Sequence, residues 1–243
     1  MGVGYQVSPL CQIRSVDMAS LPETPTGAEW GLPDLPSGMR IIPWEQIEKS
    51  LHSPSKSEII RWRDQLREKY RERLGEVLHW DEDDEFCASE DVGVHSAVLL
   101  CHVAFTFETM GEREAASLLR ELSDVSNEQL CRESEATDHA GYQTRFRQLL
   151  LGASLWLPFR RDIVIEEADW AGHPVKIGSV IALSEQLADL REFMKRADPD
   201  VTLWSHVSDE PPTVLCKAWQ CSEPIAVLAA KAIERRLPMW TTG

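Results

Sequence analysis

Basic residues are scarce in this chain of 243 residues. Lys and Arg number 25 against 40 Asp and Glu, giving a formal charge of −15 at pH 7. Broad contact with nucleic-acid phosphate or anionic lipid needs a positive surface, so neither nucleic acid nor membrane is an expected partner. Long apolar runs are missing too. The longest, residues 97–105, contains His102 and is too short to span a bilayer. The first residues show neither the basic start nor the apolar core of a secretory signal, and Gln6 stands where a myristoylation signal wants Ser or Thr. A soluble, cytoplasmic protein is expected. Its scattered cysteines (Cys11, Cys87, Cys101, Cys131, Cys216 and Cys221) are then reduced thiols.

The strong catalytic signatures are absent as well. There is no Gly-x-Ser-x-Gly elbow, phosphate-binding loop, Gly-x-Gly-x-x-Gly, His-Glu-x-x-His or Cys-x-x-Cys. Cys216 and Cys221 have no second pair at zinc spacing. Glu76 and His79 share a helix face, but a di-iron bundle needs a second Glu-x-x-His pair, and no other His has a Glu three residues before it. His95 and His102 lie roughly 10 Å apart along one helix, too far to share a zinc ion. His102 is expected to be a core histidine that donates to a backbone carbonyl. Cys101, on the same apolar helix, lacks the exposed, electropositive setting of a reactive thiol. No cofactor is expected.

What is present describes a folded chain: 43 % hydrophobic and 27 % charged residues are ordinary globular shares. Residues 1–43 carry Pro9, Pro22, Pro25, Pro33, Pro36 and Pro43, which forbid long helix and imply an extended segment wrapped over a neighbouring surface. Residues 44–243 then form a single α+β domain, with a sub-boundary near residue 154 left open. Its first part is expected to be predominantly helical, over residues 55–78, 94–110, 112–123 and 139–153. Ser55 and Glu58 have capping-box spacing, as do Ser126 and Gln129, which open a further short helix. After Leu155, short β-branched runs with Gly172 at a turn imply a small sheet, followed by two further helices. A strand is expected at 213–219, then a last helix capped by Ser222 with Pro224 in its first turn.

The sharpest local feature is the run Asp81, Glu82, Asp83, Asp84 and Glu85. With Glu90 and Asp91 it puts seven acids and no base into residues 81–91, expected to form an acidic loop. The run lacks the alternation and central glycine of an EF-hand. It can be solvated, fold back on the arginines of the preceding helix, or attract a basic surface. Of nine tryptophans, Trp80 abuts the run, and Trp170 and Trp204 fall beside expected turns. These three and residues 81–85 are the candidate contact surface for a basic protein partner. Arg145, Arg147, Arg160 and Arg161 form a local basic stretch that can pair with Asp162, Glu166 and Glu167. The expected function is non-catalytic protein binding, in the manner of an immunity or inhibitor protein that neutralises a basic partner. The alternative is a metal-dependent hydrolase with His79, Asp83, Asp84 and His95 as ligands, joined by Asp81 and His102 as further acid–base groups. Self-association through the tryptophans stays open.

Overall fold

The structure, a computed structural model, describes residues 2–12, 15–16, 51–52, 54–138, 141–202 and 212–242. Among these residues the protein is a mixed α+β fold of seven α-helices and a six-stranded mixed sheet. The strands are β1 (Gly2–Val7), β4 (Ala88–Gly93), β5 (Leu155–Leu157), β6 (Ile165–Ala168), β7 (Pro174–Ser179) and β8 (Met239–Thr242), in the order β4-β1-β8-β5-β7-β6. A separate short pair joins β2 (Ser15–Val16) to β3 (Leu51–His52). The helices are α1 (Lys56–Leu74), α2 (Val94–Met110), α3 (Glu112–Glu121), α4 (Asn127–Thr137), α5 (Arg147–Leu150), α6 (Val180–Ala197) and α7 (Val214–Arg235). No helix among the described residues is long and apolar enough to cross a membrane.

The two ends of the chain meet inside the sheet. β1 runs antiparallel to β4, with Val3 opposite Val92, and antiparallel to β8, with Val7 opposite Met239. Among the described residues only β5 and β7 pair in parallel. The β6–β7 hairpin turns at Gly172, as its sequence suggests, with φ of 89° there and Asp169 Oδ1 accepting the N–H groups of Ala171 and His173 at 2.8 and 2.9 Å. Strand alternation divides the core between the two sheet faces. Leu155 and Leu157 of β5 pack with Ile177 of β7 against Ile59, Trp62, Leu66 and Tyr70 of α1. Trp156, between the two leucines, joins the larger cluster built by α2, α6 and α7. Within that cluster Phe107 of α2 stacks on Phe193 of α6, with ring centroids 3.9 Å apart.

Local chemistry sets the element boundaries. Ser55 caps α1: its side chain accepts from Glu58 N, while Glu58 accepts from Ser55 N at 2.7 Å. The helix stops at Leu74 rather than near residue 78, because Gly75 takes the left-handed conformation (φ 70°) and donates to Arg71 O. Ser126 caps α4 by accepting from Gln129 N at 3.2 Å, while the Gln129 side chain donates to Glu133 rather than closing the box. The helix expected over 139–153 is reduced to α5. Here Glu108 accepts the N–H of Arg145 at 2.8 Å and Thr144 Oγ1 that of Phe146 at 2.9 Å, so neither is bound within a helix. The stretch 213–219 is not a strand: residues 214–219 open α7. Thr213, not Ser222, caps α7, and Pro224 lies inside the helix. Ser222 instead donates to Trp219 O at 2.7 Å.

Strand β1 arises from the segment expected to wrap and β4 from between two expected helices, so the sheet collects strands from both halves of the chain. Residues 88–93, read as the end of an acidic loop, form β4. Most of the segment expected to wrap, residues 17–43, lies outside the described residues, as do residues 44–50; Trp30 and Trp44 are therefore outside them too.

Candidate functional site

The acidic run follows α1 and leads into β4. Its second residue faces inward. Glu82 is 6 % exposed and accepts the backbone N–H groups of Leu10 and Cys11 at 3.1 and 2.9 Å, together with the indole N–H of Trp80. Leu10 and Cys11 begin a 3-10 turn whose first N–H groups have no partner within the turn, so a carboxylate there acts as a cap. Trp80 is fully buried. Its ring lies edge-on to Trp62 at 6.1 Å, and Trp62 lies edge-on to Trp170 at 5.5 Å. The fold therefore uses Trp80 as core and leaves Trp170 only partly exposed. Trp204 lies outside the described residues.

The arginines of α1 do hold the loop, but through carbonyls. Arg63 Nη1 donates to Trp80 O at 2.9 Å and Arg67 Nε to Leu78 O at 3.2 Å. Asp83 pairs with Lys56. Asp84 accepts from Phe86 N at 2.8 Å and lies 3.8 Å from Arg235 of α7. Asp81 accepts from Asp83 N at 2.8 Å and keeps its side chain in solvent. Glu82 and burial both bear on Cys11, whose thiol is pushed up to about 11 by burial first and then by the neighbouring carboxylate.

What faces outward is a narrower acidic band: Asp81, Asp83 and Glu85 from the loop, then Glu90 and Asp91 from β4. β4 is a terminal strand of the sheet, bonded to β1 on one side and to no strand on the other among the described residues. A terminal strand offers unpaired N–H and C=O groups alternating along its free edge. Charged side chains on such an edge deter self-pairing and select partners of opposite sign.

The four alternative metal ligands are not brought together. His79 is exposed, Asp83 and Asp84 are committed as described, and His95 bonds Asp124 at 2.8 Å. The Asp124 carboxyl is held below the usual carboxylate range, chiefly by the N–H of Val125 and then by His95. Among the described residues no group of three or more His, Cys, Asp or Glu side chains is placed to hold a metal ion.

A second feature was invisible in the sequence. Where α2 meets α4, the 1 % exposed His102 ring bonds Glu133 through Nδ1 at 2.8 Å, with Thr106 Oγ1 3.5 Å from Nε2. His102 is a core histidine, but its partner is a carboxylate from another helix and not a backbone carbonyl. Beside it, Cys101 lies 3.5 Å from Leu149 O, and burial pushes its thiol up to about 11. The pair borders a crevice of two adjoining chambers. No sequence motif marks Glu133, which lies 31 residues from His102.

Comparison with protein-family models, curated proteins and solved structures finds no match for this chain. Fold and site thus define it as a mixed α+β protein with an acidic terminal strand.

Proposed function

We propose that the protein is a non-catalytic binding protein for a basic partner protein, with an immunity-type neutraliser of a toxic or nucleolytic protein as its concrete form. The observation that supports the reading is the outward acidic band that begins at Asp81 and continues along the free edge of β4 to Asp91. The contact surface is narrower than the sequence suggested. It comprises Asp81, Asp83, Glu85, Glu90 and Asp91, while Trp80 and Glu82 support it from inside. A basic extended segment pairing with β4 would satisfy strand-edge groups and side-chain charges together. The cytoplasm suits this reading, as the six cysteines are free thiols. Self-association through further tryptophans is compatible with it and not required by it.

The test is affinity capture from the native source at low salt, using the chain and a variant carrying Asp81→Lys, Asp83→Lys, Glu85→Lys, Glu90→Lys and Asp91→Lys. A basic protein retained by the native chain, released as salt rises and not retained by the folded variant, supports the reading. Equal retention by both chains refutes it.

A further inference from the structure

Two adjoining chambers form a crevice beside His102 and Glu133. Its outer chamber, about 530 Å³, is walled by Tyr142, Asp138, Glu166 and Lys176. Its inner chamber, about 230 Å³, lies against Val98, Phe105, Leu130 and Leu149, with the His102–Glu133 pair on one wall. Ser134, Thr137, Leu150 and Gly152 border both chambers, so the two adjoin. Ligand pockets typically enclose about 300–1,000 Å³, mostly apolar with a few placed polar groups.

We propose that this crevice binds a small amphipathic primary amine, with the hydrocarbon body in the inner chamber and the ammonium group in the outer one. The apolar walls select the body. An apolar cavity of about 150 Å³ already admits benzene, so the inner chamber has room for one ring and a short tether. The charges select the head. Glu133, Asp138 and Glu166 line the two chambers against one lysine, so a carboxylate or phosphate head meets net repulsion.

Lys176 marks where an ammonium fits. Its Nζ lies 3.3 Å from Asp138 Oδ1 and 3.8 Å from Glu166 Oε1, and both carboxylates remain largely solvated, at 77 % and 79 % side-chain exposure. Each therefore keeps lone pairs for a second ammonium. Glu133 is differently placed: His102 and Gln129 occupy its oxygens, which makes it a fixed polar wall and not the primary contact. Exposed ion pairs contribute little singly, so the apolar chamber supplies most of the affinity and the two outer carboxylates supply the preference for a cation. The inference is independent of the basic-partner reading, which uses the opposite acidic band on β4 and its loop only as a protein surface.

The experiment is titration calorimetry of the full chain at pH 7 with 2-phenylethylamine, 2-phenylethanol and 3-phenylpropanoate. The expected result is saturable 1:1 binding of the amine, binding of the alcohol weaker by about fivefold, and no binding of the carboxylate. The double variant Asp138→Asn, Glu166→Gln, altered only at exposed side chains, brings the amine down to the affinity of the alcohol. Val98→Trp, at a position 37 % exposed, fills the inner chamber and weakens amine and alcohol alike by about tenfold or more. Absence of amine binding overturns the proposal, as does equal binding of amine and alcohol, or an amine affinity unchanged in the double variant. Should Val98→Trp fail to fold, judged by circular dichroism, the double variant decides alone.

Discussion

The carboxylate of Glu82 accepts the backbone N–H of Cys11 at 2.9 Å, across 71 residues of chain. One acid in a run of five is thus a structural tie between the chain's beginning and the loop after α1. Glu82→Ala strands two backbone donors and the Trp80 indole in a buried setting, at a cost of about 2–3 kcal/mol. Asp81→Asn and Glu85→Gln change stability by less than about 0.5 kcal/mol. Denaturant unfolding of the three variants measures the contrast. Equal effects would show that Glu82 is not a cap.

Gly178 of β7 has no room for a side chain. A Cβ there meets Gln148 Oε1 at 2.1 Å and Trp156 Cδ1 at 2.8 Å. Gln148 cannot retreat, since it accepts from Ser179 N at 2.9 Å and donates to Asp162 Oδ1 at 2.9 Å. Gly178→Ala is expected to cost about 1–3 kcal/mol, read as a lowered thermal midpoint. Gly172→Ala, where the added Cβ touches nothing but φ is 89°, strains the backbone alone.

Cys101 and Cys221 contribute to the dependence of stability on pH at the alkaline side. Burial pushes Cys101 up from the ordinary thiol value of 9.0 to about 11 and Cys221 to about 12. The folded state therefore holds protons that the unfolded chain releases, so these groups' stabilising contribution is complete below pH 9. It falls as pH rises through the window from 9 to about 11 and 12. Cys101→Ala should flatten part of that decline in urea unfolding measured from pH 8 to 11. A parallel decline in the variant would assign it elsewhere. At pH 8 an alkylating reagent should reach the exposed Cys87 and Cys131 well before Cys216 and Cys221.

Lys69 and Tyr70 of α1 share one carboxylate oxygen of Glu167 on β6, at 2.6 and 2.8 Å. The lysine, then the phenol, holds the Glu167 carboxyl below its usual range. A lowered folded pKa means that the pair's stabilisation is present above the ordinary glutamate range and is lost as pH falls through the folded value. Glu167→Gln should remove that acid-side loss, so native and variant chains converge in stability at low pH. A constant gap between them would contradict the linkage.

Much of the helical layer was legible from local signals. The capping-box spacings at Ser55 and Ser126 located the starts of α1 and α4, although the full box forms only at Ser55, and the all-round apolar pattern of residues 94–110 gave α2 its bounds. Non-local ties were not legible. β4 is rich in residues that disfavour strands, and only its register with β1 explains it. Residues 214–219 mix β-branched and aromatic side chains, which suggested a strand, yet Thr213 supplied a helix cap. Trp80 beside five acids read as surface. What decided its burial was Trp62 on the α1 stripe and the Glu82 carboxylate turned inward, neither of which periodicity records.

Because β1 is threaded between β4 and β8, trimming the first seven residues would do more than shorten a tail. It would leave β4 with no neighbouring strand among the described residues and uncover the flank of β8. A label or fusion joined ahead of β1 would emerge beside Gly93, the partner of Gly2. Attachments at that end are best given a generous spacer.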